Sequence, residues 1–147
     1  MSRLRALAAV LVTAAGGVLL VAPPAEAASS LQFRRINYNA PGSDTSSNTS
    51  VNGEYVTIKN TSSTKKCLTG WTVKDVAGHK YTFGTFCLSG YASVYLHSGK
   101  GANTATRRYW GSGWHIWNNT GDTAYLRNSA GTLMDSCKWV SGTYVNC

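Results

Sequence analysis

Alternation of apolar and polar residues over short stretches is the main pattern of the chain after residue 28. In Glu54–Lys59, Val56 and Ile58 would face one side of a strand, and the residues between them would face the other. The same period of two recurs in Ala92–Leu96, where Tyr95 would point away from the core. Such alternation predicts half-buried β-strands.

Two four-residue turns predict hairpins. Asp75–Gly78 and Asn128–Gly131 each begin with aspartate or asparagine and end with glycine, residues that suit the first and fourth positions of a type I turn. The strands predicted beside these turns are Trp71–Asp75 and Lys80–Phe83 for the first, and Ala124–Arg127 and Thr132–Asp135 for the second.

The segments outside these strands and hairpins are also consistent with an all-β sandwich. Leu31–Tyr38 alternates only roughly and is predicted as a first strand, whereas Asn39–Asn52 consists almost entirely of turn-forming residues and predicts a long surface loop. No stretch after residue 27 has a sustained helical period, and about seven short strands separated by turns are typical of two packed sheets. The side chains predicted to fill the space between the sheets are Val56, Ile58, Leu68, Trp71, Val73, Phe83, Leu88, Val94, Leu96, Ala124 and Leu126.

The first 27 residues have the pattern of a secretory signal peptide. Arg3 and Arg5 precede the apolar stretch Leu7–Val21, and Ala25–Ala27 supplies a small-x-small cleavage site. A membrane anchor is the alternative, but about 15 apolar residues fall short of the roughly 20 that span a bilayer, and no later segment is apolar enough. We therefore predict a secreted protein whose mature domain is residues 28–147.

The mature domain would be strongly basic. Its 120 residues suffice for one hydrophobic core and carry 12 Lys and Arg against five Asp and Glu, a net charge of +7. A surface of this charge attracts polyanions. Solubility of an exported protein is the alternative explanation, because the basic residues are scattered and only three pairs of them are adjacent in sequence.

Four cysteines, all in the mature domain, predict disulfides. An even number of cysteines in a small exported domain is typical of disulfide bonding. The spacing contains no C-x-x-C pair and fits no usual zinc site. Three pairings are open, and we favour Cys67–Cys87 with Cys137–Cys147 because each closes a short loop, worth about 3 kcal/mol in the chain-entropy model.

Several short sequence motifs, in a fixed order, resemble those of the lamin tail domain. The first half contains Glu54–Asn60, Leu68–Trp71 and the Asp75–Gly78 turn, and the second contains Tyr109–Gly111 and Trp117–Leu126. The resemblance covers about residues 36–139 and implies an immunoglobulin-like β-sandwich that serves as a binding or structural module. In animal nuclear lamins this domain contacts proteins and nucleic acid, but no shared binding motif carries that role to particular residues here.

No catalytic or metal-binding constellation is evident in the sequence. His79, His97 and His115 lie on different segments, and their spacing brings none of them to a carboxylate or a cysteine. Asp75 and Asp122 are predicted to accept backbone hydrogen bonds in turns. The motifs of serine hydrolases, zinc proteases and phosphate-binding loops are lacking. We predict no enzymatic activity, no cofactor and no metal ion.

The aromatic segment Tyr109–Trp117 is the main candidate for a binding site. It holds three of the five tryptophans and follows Arg107 and Arg108, a combination that nucleic acids, sugars and protein hot spots exploit. We predict that Trp110 and Trp117 fill the core and that Trp114 is partly exposed. The predicted ligand-binding residues are therefore Arg107, Arg108 and Trp114.

Together these features predict a secreted, non-enzymatic binding module. Its partner would be a protein or a cell-envelope polymer. Binding of extracellular nucleic acid through a basic and aromatic surface is the alternative, and an enzyme with an unrecognised site is the third hypothesis.

Overall fold

The computed structural model describes residues 28–147, so the predicted signal peptide, residues 1–27, lies outside the described residues. Two sheets enclose one core, and the predicted all-β sandwich is confirmed. The first sheet has the strand order β11 (Tyr144–Asn146), β1 (Leu31–Asn37), β2 (Tyr55–Asn60), β7 (Ser93–His97) and β8 (Arg107–Tyr109). The second has the order β10 (Leu133–Trp139), β9 (Asp122–Arg127), β4 (Thr72–Lys74) and β5 (Lys80–Thr82), and β3 (Lys66–Cys67) pairs with β6 (Cys87–Leu88).

A β-bulge explains the rough alternation of β1. The register with β2 shifts between Phe33 and Arg35, and the backbone N–H of Phe33 donates to the Asp135 carboxylate of the other sheet at 2.8 Å. Because a bulge adds one residue to a strand, it reverses which later side chains face the core. Phe33 therefore points inward before the bulge, and Ile36 and Tyr38 point inward after it.

The two predicted hairpins are present. The β4–β5 and β9–β10 strands pair antiparallel, and each turn ends in a glycine with positive φ, 102° at Gly78 and 85° at Gly131. Three-residue hairpin loops commonly end in such a left-handed residue. Glycine adopts this conformation without a steric penalty.

The predicted long surface loop over Asn39–Asn52 contains one helical turn that the sequence pattern did not indicate. α1 (Asn48–Val51) is a single helical turn, and the Ser47 hydroxyl caps it by accepting from the Ser50 N–H at 3.2 Å. A turn of this length is too short to produce a helical period in the sequence. Val51 is its only buried residue and anchors the turn to the domain.

Of the eleven residues predicted to fill the space between the sheets, all except Trp71 lie in the core, and Trp71 is half-buried and packs at its margin. Ten further described residues join the core, among them all of the apolar residues of β1. These are Leu31, Phe33, Ile36, Tyr38, Val51, Phe86, Ile116, Trp117, Cys137 and Trp139.

Two disulfides are formed with the pairing favoured from the sequence. Cys67–Cys87 joins directly opposed residues of β3 and β6. Cys137–Cys147 joins β10 to the end of the chain just after β11, so it ties the second sheet to the edge of the first. Such bonds persist in oxidising compartments and are rare in reducing ones.

Candidate binding surface

Arg107 and Arg108 lie on β8, at the edge of the first sheet, and face opposite sides. Arg107 is exposed on the outside of the sheet. Arg108 points inward, with its guanidinium carbon 3.9 Å from the ring centre of Phe86, and donates to the Thr104 carbonyl at 2.6 Å. Adjacent strand residues alternate between faces. The two arginines therefore cannot contact one ligand from the same side of the strand.

Trp114 lies apart from both arginines, in the loop that connects β8 to β9. Its side chain is 54% exposed, as predicted, and its ring lies edge-on to His115 with 5.5 Å between centroids. Trp117 is buried in the core, as predicted, whereas Trp110 is only half-buried and packs against the core from the edge. The three predicted ligand-binding residues are thus distributed over three different environments.

The outer side of the first sheet carries a cluster that the sequence did not single out. We call it the tyrosine face, and it consists of Tyr55 of β2, Tyr95 and His97 of β7, and Arg107 and Tyr109 of β8. The Tyr55 ring contacts the rings of Tyr95 and His97, with 5.6 Å between centroids in each case. The His97 ring stacks on Tyr109 at 5.3 Å. Alternation along β2 and β7 indicated that Tyr55 and Tyr95 point outward, but the pairing of these strands with β8 is not encoded locally.

Strand register arranges this outer side in rows that cross the sheet. In one row Arg35 of β1 lies opposite Thr57, Thr57 opposite Tyr95, and Tyr95 opposite Arg107. An arginine thus stands at each end of the row. Three strand spacings separate the two arginines, roughly 14 Å at the usual spacing.

The tyrosine face contains a shallow groove. It is lined by Tyr55, Tyr95, His97 and Arg107 and has a volume of about 220 Å³. This is smaller than the roughly 300–1,000 Å³ typical of a site that encloses a whole small molecule. The groove therefore has room for one ring-sized unit of a larger ligand.

The charges of the domain are distributed unequally between surface and interior. Glu54, Asp75 and Asp122 are buried, whereas all 12 Lys and Arg side chains of residues 28–147 are exposed or half-buried. Within the described residues, histidine provides every basic partner of a carboxylate, and no lysine or arginine forms a salt bridge. The positive charge of the surface is consequently not neutralised by neighbouring carboxylates.

Glu54 and His115 form a buried pair that the sequence spacing did not indicate. His115 Nδ1 lies 3.1 Å from Glu54 Oε1, an ion-pair distance, although the two atoms are not aligned as a hydrogen bond. The other carboxylate oxygen accepts from the Ile116 N–H at 2.9 Å. Burial raises the pKa of Glu54. The hydrogen bond from the Ile116 N–H and the interactions with Ser98 and His115 act in the opposite direction but do not cancel this increase. The residues are 61 positions apart, so their contact depends on the tertiary fold.

The buried pair also fastens the loops at this end of the sandwich. His115 Nε2 lies 3.2 Å from the Ser50 hydroxyl and 3.8 Å from Asp44 Oδ1. It therefore connects the β8–β9 loop to α1 and to the loop before it. The carboxylate is fully buried, with Oε2 accepting from the Ile116 N–H and Oε1 facing His115 without a hydrogen bond.

Asp75 and Asp122 have the predicted structural roles. Asp75 Oδ1 accepts from the Gly78 and His79 N–H groups at 2.7 Å, and Asp122 accepts from Val76 and Thr123. Across residues 28–147, no group of three or more His, Cys, Asp or Glu side chains is placed to hold a metal ion. In the same part of the chain, no helix has the length and apolar character needed to cross a membrane.

The fold and this surface define an immunoglobulin-like β-sandwich of the binding or structural class. The family model Lamin Tail Domain matches residues 24–141, and the chain therefore belongs to the lamin tail domain family. This is a family of non-catalytic domains. A search of curated proteins found no match to the chain.

Proposed function

We propose that residues 28–147 are an exported, non-enzymatic binding module whose partner is an anionic cell-envelope polymer or an acidic protein. The observation that carries this proposal is the unequal placement of charge: three of the five carboxylates are buried, and no lysine or arginine of residues 28–147 has a carboxylate partner. Unpaired surface cations raise the local concentration of anionic ligands.

Export is supported by two independent features. Residues 1–27 have the charged, apolar and small-residue regions of a signal peptide. The four cysteines are all paired, and two disulfides in a small domain are typical of oxidising compartments outside the cytoplasm.

A non-enzymatic role is supported by the environment of the one buried histidine–carboxylate pair. A general base must reach a substrate proton directly or through one water molecule. Glu54 is fully buried, and its two oxygens are occupied by His115 and by backbone N–H groups. The buried pair of Glu54 and His115 is thus explained by a structural role, because it holds together the loops at this end of the sandwich.

Extracellular nucleic acid is the second candidate partner. Phosphate backbones require several cations, and an exposed aromatic ring such as Trp114 can stack on a base. Against this, the Arg108 side chain points to the opposite side of the strand from Arg107. Its guanidinium packs on the Phe86 ring and donates a hydrogen bond to the Thr104 carbonyl. The predicted basic and aromatic residues therefore do not form one continuous groove.

The proposal predicts salt-sensitive binding by the mature, oxidised protein. In a pull-down against cell-envelope, DNA and secreted-protein fractions, we expect retention on the envelope fraction at about 50 mM salt. Retention should largely disappear at about 200 mM, because contacts that release counterions weaken steeply over this range.

Two results of the pull-down would contradict the proposal. Retention that is undiminished at the higher salt concentration would indicate a packed protein interface instead of charge attraction. The absence of retention on every fraction at the lower concentration would remove charge attraction as the basis of function.

A further inference from the structure

We propose that the tyrosine face binds an anionic polysaccharide, with one sugar ring in the groove and acidic groups of the chain at Arg107 and Arg35. This inference rests on the proposed function and deepens it, because it assigns the partner class and the site. The occupant is a sugar polymer that carries phosphate or carboxylate groups.

The two arginines at the ends of this row have no acidic partner among residues 28–147. Arg107 is exposed and has no acidic partner among residues 28–147. At the other end of the row, the half-buried Arg35 guanidinium lies 3.6 Å from the ring centre of Tyr144 and has no acidic partner among residues 28–147. Its Nε is buried, so an external anion would meet its terminal nitrogens. Guanidinium groups bind carboxylate and phosphate oxygens with two parallel hydrogen bonds.

The spacing of the two arginines suits a polymer and not a single small anion. They stand roughly 14 Å apart, three strand spacings, with Thr57 and Tyr95 between them in the same row. Thr57 is short and is covered by its neighbours, so Tyr95 is the large exposed side chain between the two arginines. A chain that lies across the strands would place separate acidic groups at the two ends.

Between the arginines, the groove offers a surface for the face of a sugar ring. Tyr95 is 41% exposed and Tyr55 is half-buried, and their rings meet at an interplanar angle of 66°. The rings therefore form the walls of a concavity with apolar surface and hydroxyl groups. Aromatic side chains of this kind combine an apolar body with a polar tip.

The same geometry disfavours single-stranded nucleic acid on this face. Strand-binding platforms stack successive bases on several free aromatic faces. Here His97 covers Tyr109 at an interplanar angle of 19°, and the Gly101 backbone packs so closely on Tyr109 that an added Cβ would lie 2.4 Å from its ring. Only the walls of one ring-sized groove remain free, which favours a single sugar over a run of bases.

The absence of carboxylates from the face selects an anionic sugar over a neutral one. The five side-chain carboxylates of residues 28–147 belong to Asp44, Glu54, Asp75, Asp122 and Asp135. None of them lies on the strands β2, β7, β8 or β11, or on β1. An acidic unit is therefore attracted to the face and meets no like charge there.

The test is a binding titration of the mature, oxidised protein with dextran phosphate, using neutral dextran as the uncharged control. Arg107→Ala is compared with Lys138→Ala, which removes one exposed positive charge from β10 of the opposite sheet. We expect Arg107→Ala to weaken binding about tenfold, as at a binding hot spot. Lys138→Ala should weaken it less than about threefold, since only long-range attraction is lost.

A third variant, Tyr95→Ala, separates ring contact from charge. It should also weaken binding about tenfold but leave the salt dependence of the binding constant unchanged. Arg107→Ala should reduce the salt slope by about one counterion. Thermal unfolding of each variant establishes that the domain remains folded.

Three results would overturn the inference; the first two leave the proposed function intact, and the third would favour nucleic acid, the second candidate partner. These are equal losses for Arg107→Ala and Lys138→Ala, equal affinity for dextran and dextran phosphate in a protein that binds other anions, and tighter binding of oligothymidylate that depends on Trp114. Failure to bind any of these polymers at about 50 mM salt, where charge contacts are strong, together with no retention on any fraction in the pull-down, would overturn the proposed function as well.

Discussion

Replacing Glu54 with alanine is expected to lower the free energy of unfolding by about 3–5 kcal/mol. The carboxylate is fully buried, lies 3.1 Å from His115 Nδ1 and accepts from the Ile116 N–H at 2.9 Å. Alanine would leave the buried N–H group and the imidazole without their partner and would create a cavity. Urea unfolding of Glu54→Ala and the unchanged protein, followed by circular dichroism, measures the loss.

Glu54→Gln is the matched control for this substitution. Glutamine keeps an oxygen that accepts from Ile116, so the loss at neutral pH should be only about 1 kcal/mol. A loss as large as that of Glu54→Ala would mean that the charge, and not the hydrogen bonding, stabilises this end of the sandwich. An unchanged stability of Glu54→Ala would contradict the role assigned to the pair.

The pH dependence of stability provides a second comparison between these proteins. Burial raises the pKa of Glu54 above its ordinary value of 4.5. Between 4.5 and the raised pKa, the folded protein holds a proton that the unfolded chain has released, so stability falls as the pH increases through this interval. Glu54→Gln should lack this decrease, and the difference between the two pH profiles isolates the contribution of Glu54.

Replacing Trp117 with alanine is expected to cost about 3–5 kcal/mol of unfolding free energy. Trp117 is 3% exposed and packs edge-to-face against Trp110 and Trp139, with centroid distances of 5.8 and 5.7 Å. Trp139 in turn stacks on Tyr38 at 4.7 Å. The substitution would open a cavity in the middle of an aromatic cluster that joins both sheets. The shift of the urea unfolding midpoint, at an unchanged dependence of the unfolding free energy on urea concentration, gives the loss of stability.

Trp114→Ala is the matched control, because it removes the same side chain from the same loop. Trp114 is 54% exposed, and an exposed substitution usually changes stability by less than about 0.5 kcal/mol. Similar losses for the two variants would contradict the placement of one tryptophan in the core and the other at the surface.

Local patterns in the sequence predicted most of the strands and both hairpins. Val56 and Ile58 alternate with polar residues, and Gly78 and Gly131 end turns that need a left-handed residue. These features depend only on neighbours in the chain. The first strand alternated poorly because its bulge after Phe33 is stabilised by Asp135 of the opposite sheet, a contact that the local sequence does not encode.

The candidate site was predicted less completely, for two physical reasons. Arg107 and Arg108 are adjacent on a strand, so alternation separates them, and this could have been inferred once β8 was recognised as a strand. The tyrosine face combines β2, β7 and β8, and the parallel pairing of β7 with β8 is set by the tertiary fold. The same holds for Glu54 and His115, which meet only when the loops are assembled.

The architecture separates stability from binding. Buried carboxylates, the aromatic cluster and two disulfides hold the sandwich together from within. The positive charges remain at the surface without carboxylate partners among residues 28–147. Substitutions on the tyrosine face should therefore affect ligand binding with little effect on stability.

A chemical-shift titration tests most directly the central claim that the tyrosine face binds an anionic polysaccharide. In amide NMR spectra of the mature, oxidised protein titrated with dextran phosphate, we expect the largest shifts in β2, β7 and β8, the strands of the tyrosine face. Dextran should cause no comparable shifts. The largest shifts in β9 and β10, or in the loop around Trp114, would contradict the account.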